Sequence, residues 1–339
     1  MISQRQLDFF HNILRAVVSR RLDDFLTAKF NRLFCRTDLV GAYFSGANSE
    51  LLFPEFDIQA RKLGHYSMQD SLFWCAYIEA LCALGRTIDA ARIINEVYDC
   101  HWGADTVRRF LALMSFSKTL GLQHDFVNKG DAVFKTLNES ANRKLFESLF
   151  SENTTVALIG NGPVDNGNGL GKEIDRHDIV IRINNYAQDG FEFDYGSKTD
   201  IWVKASFENI NHDQRRLPTR MIYYADEVLR RPLMDGYLDA MFSEMQQIPI
   251  GCFSSSFRSQ LAKQYNIAPT TGFTLIFMLA KMQIKYLDVY GFSFLSDQEF
   301  RIYKSYEGRC QDASAHNMNV EMAELSKLGW HGRRLYRDI

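Results

Sequence analysis

The chain has 339 residues, of which 46% are hydrophobic and 24% are charged, and its formal net charge is -2. This length supports two domains, each with its own core. A charge so close to zero argues against a broad basic surface, so we expect no nucleic-acid partner. No run of apolar residues reaches the length of a membrane span, and we expect a soluble protein.

The cysteines indicate a reducing environment. Six are present: Cys35, Cys75, Cys82, Cys100, Cys252 and Cys310. They form no C-x-x-C pair and show no metal-ligand spacing, so we expect buried free thiols rather than disulfides or a metal site. Acidic residues near position 165 form no D-x-D pattern either, and the sequence predicts no metal site.

Residues 1–150 predict a helical domain, because apolar residues recur there at spacings of three and four with few turn signals. Residues 72–84 and 88–97 predict two helices separated by Gly85. Such a hairpin is reminiscent of tetratricopeptide units. No fixed repeat period is present, and an irregular helical bundle is the alternative.

The opening of this helical part is basic and amphipathic. Its arginines alternate with apolar residues: Arg5, Arg15, Arg20 and Arg21 among Leu7, Phe9, Phe10, Ile13 and Leu14. Such a helix can dock on anionic lipid or on a lipid-linked glycan. The alternative is a solvated helix that packs on its own domain.

From residue 151 to 339 the pattern changes to alternating strands and helices, which predicts a parallel sheet with crossover helices. A polar helix at 138–150 precedes this α/β domain. The predicted strands are 156–159, 179–183, 200–204, 220–224, 249–253 and 286–290. The predicted helices are 227–246, 257–265, 271–282 and 316–328.

A glycine-rich loop follows the first predicted strand. Gly160, Asn161 and Gly162 end that strand, and Asn184 ends the next one. Because parallel strands present their carboxyl ends at one edge of a sheet, these amides should meet where ligands of open α/β sheets bind. A dinucleotide fingerprint fits poorly, since its third glycine position is Asp165. A turn without a ligand remains the other alternative.

The sequence around this loop resembles the large sialyl motif of the eukaryotic-type sialyltransferases. The resemblance begins at Gly160-Asn161 and continues through the body of the motif: Gly169, Gly171, Lys172, Glu173, Ile174, Asp175, His177, Asp178, Val180, Ile181, Arg182 and Asn184. It closes with Gly190, Phe191, Glu192, Asp194, Gly196, Ser197, Lys198 and Thr199.

Two later blocks resemble the other motifs of that family. Pro269-Thr270-Thr271-Gly272, with Val289-Tyr290-Gly291-Phe292 after a helix, is similar to the small sialyl motif. His316 and Glu321, spaced H-x4-E, are similar to the very small motif. The three blocks occur in the family's order over about half of the chain.

This resemblance implies a Rossmann-like parallel sheet, a GT-A-like sialyltransferase variant, behind the helical N-terminal domain. It implies an inverting, metal-independent glycosyltransferase that moves sialic acid from its cytidine monophosphate (CMP) conjugate to a glycan hydroxyl. The CMP-sugar is the donor substrate, and no cofactor is implied. The acceptor would be a glycan or a lipid-linked glycan.

The family motifs also imply roles for particular residues. His316 would be the catalytic base, because a neutral imidazole at the start of a helix can accept the proton of the acceptor hydroxyl. Glu321 would support it or anchor a helix. Tyr306 belongs to the aromatic block Lys304-Ser305-Tyr306-Glu307 and would have a supporting role.

The donor would be held by groups at strand ends and at a helix start. Asn161 and Asn184 would bind the phosphate and ribose, beside Gly160. Thr270, Thr271 and Gly272 open a predicted helix with hydroxyl and N–H groups that suit an anion. Lys304 stands where the family has a phosphate-contacting histidine, and its charge could neutralise phosphate. A solvated surface lysine is the alternative.

One departure from the family is informative about the cellular compartment of this protein. The family joins its large and small motifs by a disulfide, and the corresponding positions here are Val156 and Ile284. We therefore expect a bacterial cytoplasmic enzyme of surface polysaccharide or lipooligosaccharide synthesis, soluble or peripheral to the inner membrane. Two alternatives stay open: a donor carrying Kdo or another nonulosonic acid, and a non-catalytic helical scaffold with a relic nucleotide-binding domain.

Overall fold

A computed structural model gives the architecture. It describes Leu39, 49–64, Tyr66, 70–100, 103–186, 188–204, 217–225, Leu229, Leu233, 235–253, 255–293, Tyr306 and 317–336. These residues divide into two compact units. The first contains described residues up to Lys135 and those of Val228–Phe242, and the second contains Thr136–Glu227 and Ser243–Ile339.

The described residues before position 139 form helices. These are α1 (Ser49–Leu63), α2 (Ser71–Ala83), α3 (Thr87–Tyr98), α4 (Gly103–Val107), α5 (Leu111–Thr119) and α6 (Asp125–Asn138). The helices expected at 72–84 and 88–97 are thus confirmed. The amphipathic opening of the chain lies outside the described residues, so its docking role and the extent of a helical domain stay predictions.

Helix α2 is the centre of this helical unit. Nine consecutive residues, from Phe73 to Leu81, are buried on it, so it is covered on every side. Helix α3 instead buries one stripe at helical spacing: Ala90, Ile93, Ile94 and Val97. Gly85, at a φ of +72°, provides the left-handed turn between the two helices.

The second unit is built on one sheet. Its strands are β1 (Thr155–Ile159), β2 (Ile179–Ile183), β3 (Ile201–Lys204), β4 (Met221–Tyr224), β5 (Ile250–Cys252), β6 (Tyr286–Tyr290), β7 (Trp330–His331) and β8 (Arg334–Tyr336). The remaining helices of the described residues are α7 (Ser140–Ser148), α8 (Gly171–Ile174), α9 (Glu192–Tyr195), α10 (Tyr237–Met245), α11 (Ser255–Tyr265), α12 (Thr271–Ala280) and α13 (Met318–Leu325). Most of α10 belongs to the first unit. A short 3₁₀ turn, Pro163–Asp165, follows β1.

The strand order is β5-β4-β3-β2-β1-β6-β8-β7. Strands β1 to β6 pair in parallel, which confirms the expected parallel sheet, and each of the six predicted strands lies within two residues of its expected bounds. The chain runs outward from β1 in one direction and then returns to place β6 on its other side. Such a reversal opens a crevice at the carboxyl ends of the two strands, where ligands of α/β sheets bind.

The antiparallel hairpin of β7 and β8 is not expected from the sequence. Strand β8 pairs with β6, and Gly332 at a φ of +64° makes the turn. Its strands have only two and three residues, too few to show an alternating pattern.

Both faces of the parallel strands are covered, which explains their continuous apolar runs. One face belongs to the larger core, which contains Ile181, Val203 and Phe273. Val156 and Ile284, which occupy the positions of the family's disulfide cysteines, are both buried in this larger core. The smaller core on the other face contains Ala157, Ile159, Ile174, Val180, Tyr195, Tyr290 and Tyr306.

The boundaries of the two compact units differ from the single domain boundary expected at residue 150. Residues 136–150 belong to the sheet unit, because α7 stacks Phe146 on Tyr223 of β4 with ring centres 4.2 Å apart. The segment 228–242 belongs to the helical unit. There, the Leu233 N–H donates to the Arg109 carbonyl at 2.7 Å.

Four cysteines are described, Cys75, Cys82, Cys100 and Cys252, of which Cys75, Cys82 and Cys100 are free thiols. Cys35 and Cys310 lie outside the described residues. None of the helices in the described ranges is long and apolar enough to span a membrane.

Candidate functional site

The glycine loop after β1 is joined directly to the end of β6. The Gly160 N–H donates to the Tyr290 carbonyl at 2.8 Å, and the Gly162 N–H donates to the Gly291 carbonyl at 2.9 Å. A Cβ atom on Gly160 would lie 2.6 Å from the Gly291 oxygen, and one on Gly291 would lie 2.6 Å from the Gly160 oxygen. The close approach of two backbones therefore requires glycine at both positions.

Asn161 carries a buried side-chain oxygen without a hydrogen-bond partner in the described part of the chain. The residue is 6% exposed, and its Nδ2 donates to the Ile183 carbonyl at 3.2 Å. Because that carbonyl can only accept, the amide orientation is fixed and Oδ1 points elsewhere. Within the described part of the chain Oδ1 has no hydrogen-bond partner. A buried acceptor at the carboxyl edge of the sheet suits an N–H or O–H group of a ligand.

Asn184 ends β2 in a left-handed conformation, with a φ of +49°. Asparagine adopts this conformation more readily than most residues. Its N–H donates to the Val203 carbonyl at 2.8 Å, and its own carbonyl accepts from the Trp202 indole N–H at 2.8 Å and from the Tyr186 N–H at 3.1 Å. The backbone of this predicted donor-binding residue is therefore firmly fixed.

The carboxylate of Glu321 anchors the start of α12. The hydroxyl and the N–H of Thr270 donate to the Glu321 carboxylate at 2.7 and 2.6 Å. The same hydroxyl accepts from the Phe273 N–H at 3.1 Å, as an N-cap. These bonds occupy both groups of Thr270. Helix geometry leaves the N–H groups of Thr271 and Gly272 without intrahelical partners, so these are the groups open to an anion.

Phe292 connects the glycine loop with the start of α12. Its ring would lie 3.1 Å from a Cβ on Gly160 and 2.7 Å from a Cβ on Gly272. One aromatic side chain thus separates the two segments, and the structure brings Gly160, Asn161 and Gly272 to one end of the sheet. The bond from Asn161 to Ile183 places the end of β2, and with it Asn184, beside them.

Glu321 is fully buried on α13, whose N-cap is Asn317. Burial raises the pKa of this carboxyl to about 7, although the hydrogen bonds from Thr270 and the charge of Arg258 act in the opposite direction. The expected anchoring role of Glu321 fits this position beneath α12.

Tyr306 is buried in the smaller core. Its ring stacks on Tyr195 with centres 3.8 Å apart and planes 3° from parallel, and its carbonyl accepts from the Asn166 side chain at 2.9 Å. The Tyr195 hydroxyl donates to the Gly162 carbonyl at 2.8 Å. Burial raises the pKa of Tyr306 to about 12. Tyr306 therefore supports the glycine loop through Tyr195.

Asp165 has a role that the sequence does not reveal. One carboxylate oxygen accepts from the Gly291 N–H at 2.8 Å, and the other accepts from Arg333 at 3.0 Å. It therefore joins the glycine loop to the end of β6 and to the C-terminal hairpin. No spacing rule connects Asp165 to an arginine 168 residues later.

Arg182 is a second residue whose structural role the sequence does not reveal. It is fully buried, and its guanidinium donates to the Thr199 hydroxyl at 3.0 Å and to the carbonyls of Tyr195 and Gly196 at 2.7 and 2.9 Å. These bonds fix the end of α9 against β2. A charged residue inside an otherwise apolar strand is the signal that could have drawn attention to it.

His177, Asp288 and Arg334 form a buried polar cluster that resembles a catalytic group but lies away from the carboxyl edge. Asp288, in the middle of β6, accepts from Arg334 at 2.7 and 2.6 Å and faces the His177 ring nitrogen at 3.1 Å. Burial acts to raise the pKa of Asp288, but the hydrogen bonds from Arg334 and His177 prevail and lower it. The cluster fastens β8 to the sheet.

The remaining predicted site residues cannot be placed. His316 and Lys304 lie outside the described residues, so their roles stay predictions. In the described ranges, no three His, Cys, Asp or Glu side chains are grouped to hold a metal ion.

Comparison with known proteins gives a consistent assignment. Residues 108–224 match the glycosyltransferase family 29 (sialyltransferase). Alpha-N-acetylgalactosaminide alpha-2,6-sialyltransferase 1 of Gallus gallus is 30% identical over 92 residues, which cover 24% of this chain and 16% of that protein. Sialyltransferase-like protein 2 of Oryza sativa subsp. indica is 47% identical over 57 residues, or 17% and 13% of the two chains. The matches thus span less than a fifth of these two relatives.

Among solved structures, a mammalian sialyltransferase in complex with Gal-beta-1-3GalNAc-ortho-nitrophenol aligns with a TM-score of 0.41 and 17% identity, over 64% of this chain and 80% of that chain. The sequence matches confirm, over part of the chain, the resemblance seen in the sialyl motifs. Residues 108–224 of this chain are thus similar to the sialyltransferases of glycosyltransferase family 29.

Proposed function

We propose that this protein transfers sialic acid from CMP-sialic acid to a glycan hydroxyl, with inversion at the anomeric carbon. The observation that carries the proposal is the Oδ1 of Asn161, a buried acceptor with no hydrogen-bond partner among the described residues, at the reversal of strand order. A ribose hydroxyl or a cytosine amino group supplies the donor hydrogen that this oxygen lacks.

The anionic part of the donor fits the start of α12. The N–H groups of Thr271 and Gly272 face outward from a helix N-terminus, which attracts negative charge. Because Phe292 lies between Gly160 and Gly272, a nucleotide held at Asn161 has its phosphate within the neighbourhood of this helix. Asn184 contributes a neutral hydrogen-bonding side chain at the end of β2.

In the reaction, the oxygen of the acceptor hydroxyl attacks the anomeric carbon of the donor. The bond from that carbon to the phosphate oxygen breaks, and CMP leaves with the electron pair. His316 takes the proton of the hydroxyl, and Lys304 offsets the growing charge on the phosphate. Base catalysis of this kind contributes on the order of 10²–10⁴-fold.

The acceptor and the setting belong to the same proposal. We infer a bacterial cytoplasmic enzyme that acts on surface polysaccharide or lipooligosaccharide, with the helical part of the chain docking the acceptor or a membrane surface. The free thiols of Cys75, Cys82 and Cys100 and the apolar pair Val156 and Ile284 support a reducing compartment.

A donor screen tests the proposal. The full chain is incubated with CMP-sialic acid, CMP-Kdo or another CMP-nonulosonic acid and a mixed glycan panel, and products are detected by mass spectrometry. Transfer from CMP-sialic acid supports the proposal. Transfer from CMP-Kdo alone would identify the related donor instead. A chain that neither transfers nor hydrolyses any of these donors would favour a non-catalytic scaffold.

A further inference from the structure

The carboxyl end of β3 carries a buried polar group that the proposed reaction does not use. Trp202 and Lys204 share one face of β3, because Ile201 and Val203 pack into the larger core on the opposite face. Trp202 is 1% exposed and Lys204 is fully buried. Both lie in the strand next to β2, at whose end Asn184 stands.

The link to the site is the indole N–H of Trp202, which donates to the Asn184 carbonyl at 2.8 Å. Together with the bonds from the Tyr186 N–H and to the Val203 carbonyl, it fixes the backbone at Asn184. That backbone is in the left-handed region, which few side chains adopt unaided. The direction of the Asn184 side chain follows from this backbone.

The ring of Trp202 is itself held in place. The Lys204 ammonium lies 3.8 Å from its centre, a cation–π contact between two buried side chains. The Tyr186 ring meets it edge-on, 5.7 Å away at 85°. Lys204 is paired with Glu244, which also accepts from the Tyr224 hydroxyl. A buried charge has to be paired, so this arrangement fixes the ammonium over the ring.

We propose that Trp202 is a positioning residue for the nucleotide, acting through Asn184, and that Lys204 and Glu244 fix Trp202. The proposal rests on the proposed function, in which Asn184 binds the CMP part of the donor. It adds a requirement that lies outside the sialyl motifs, in the strand that follows the large motif.

The first test replaces Trp202→Phe, which keeps a ring and removes the N–H. Leaving the Asn184 carbonyl without this partner should weaken CMP binding about tenfold by titration calorimetry, with kcat at saturating donor changed by less than about twofold. Trp330→Phe is the matched control, because its indole N–H also donates to a backbone carbonyl, that of Leu325, at 2.8 Å. It should leave CMP affinity unchanged.

A double-mutant cycle separates positioning from general damage. If Trp202 acts through Asn184, the double variant Trp202→Phe, Asn184→Ala should bind CMP no more weakly than Asn184→Ala alone. Additive losses would overturn the proposal.

The wild-type chain provides a measurement that does not depend on folding of the variant. It contains four tryptophans, Trp74, Trp102, Trp202 and Trp330, so ¹⁵N-labelled tryptophan gives four indole signals, assigned by Trp→Phe changes at the other three positions. CMP should shift the Trp202 signal and leave that of Trp330 in place. A Trp202 signal that does not move at saturating CMP, or equal CMP affinity in Trp202→Phe, would overturn this inference alone. Failure of the wild-type chain to bind CMP would overturn the proposed function and the inference together.

Discussion

The Glu321 carboxylate accepts both the N–H and the hydroxyl of Thr270, at 2.6 and 2.7 Å, 51 residues away along the chain. Glu321 of the very small motif therefore anchors helix α12, which begins in the small motif. The carboxyl is fully buried, and its raised pKa has a consequence for stability.

Glu321→Gln should remove a pH dependence of folding. The folded pKa of about 7 exceeds the ordinary value of 4.5, so between these values the folded chain binds more protons than the unfolded chain and stability falls as pH rises. This loss, on the order of 3 kcal/mol between pH 4.5 and 7, should be absent in the variant. Urea unfolding at pH 5 and pH 8 measures it. Glu324→Gln, on the same helix, is the control and should retain the wild-type slope.

Gly160→Ala should destabilise the protein and weaken CMP binding, because the added methyl would lie 2.6 Å from the Gly291 oxygen. We expect a loss of about 1–3 kcal/mol in the free energy of unfolding. Gly167→Ala is the comparison: nothing lies within 4 Å of its Cβ position, and its φ of +80° alone should cost roughly 1 kcal/mol with CMP binding intact. Equal CMP affinity in Gly160→Ala and wild type would argue against a donor site at this loop.

His316→Ala should lower kcat by at least ~10²-fold and leave CMP affinity nearly unchanged, because the base acts on the acceptor hydroxyl in the transition state. Initial rates of transfer and CMP titrations give the two quantities. His331→Ala, an exposed histidine in β7, should behave as wild type. Full activity in His316→Ala would remove His316 from the mechanism.

All six cysteines should be free thiols in fresh protein, since the positions of the family's disulfide are the apolar Val156 and Ile284. Titration with a thiol reagent in denaturant counts them. A count of four would mean that one disulfide exists, and it would weigh against the proposed reducing compartment.

The sequence predicted the parallel sheet well, because its strands are buried on both faces and appear as unbroken apolar runs such as Ile179–Ile183. It missed the β7–β8 hairpin, whose strands are too short to show a period. It named Gly160 for ligand approach, whereas the structure shows that contact with Gly291 already requires glycine there.

Contacts between distant residues explain what the sequence could not give. In the sequence, Asp165 only interrupts the dinucleotide fingerprint. In the fold, its carboxylate accepts hydrogen bonds from Arg333 and from the Gly291 N–H. Trp202 and Thr270 are similar cases: a strand residue fixes Asn184, and a threonine expected to bind the donor instead has its hydroxyl and N–H occupied by the fold.

The most direct experiment follows the anomeric carbon of sialic acid and its neighbouring methylene protons by NMR during transfer from CMP-sialic acid, in the presence of a chelator. An inverting transferase should release CMP and form a glycosidic product whose initial anomeric configuration is opposite to that of the donor, with no dependence on added metal. Retained configuration, an absolute requirement for magnesium in the chemical step, or no transfer to any glycan of the panel would contradict it.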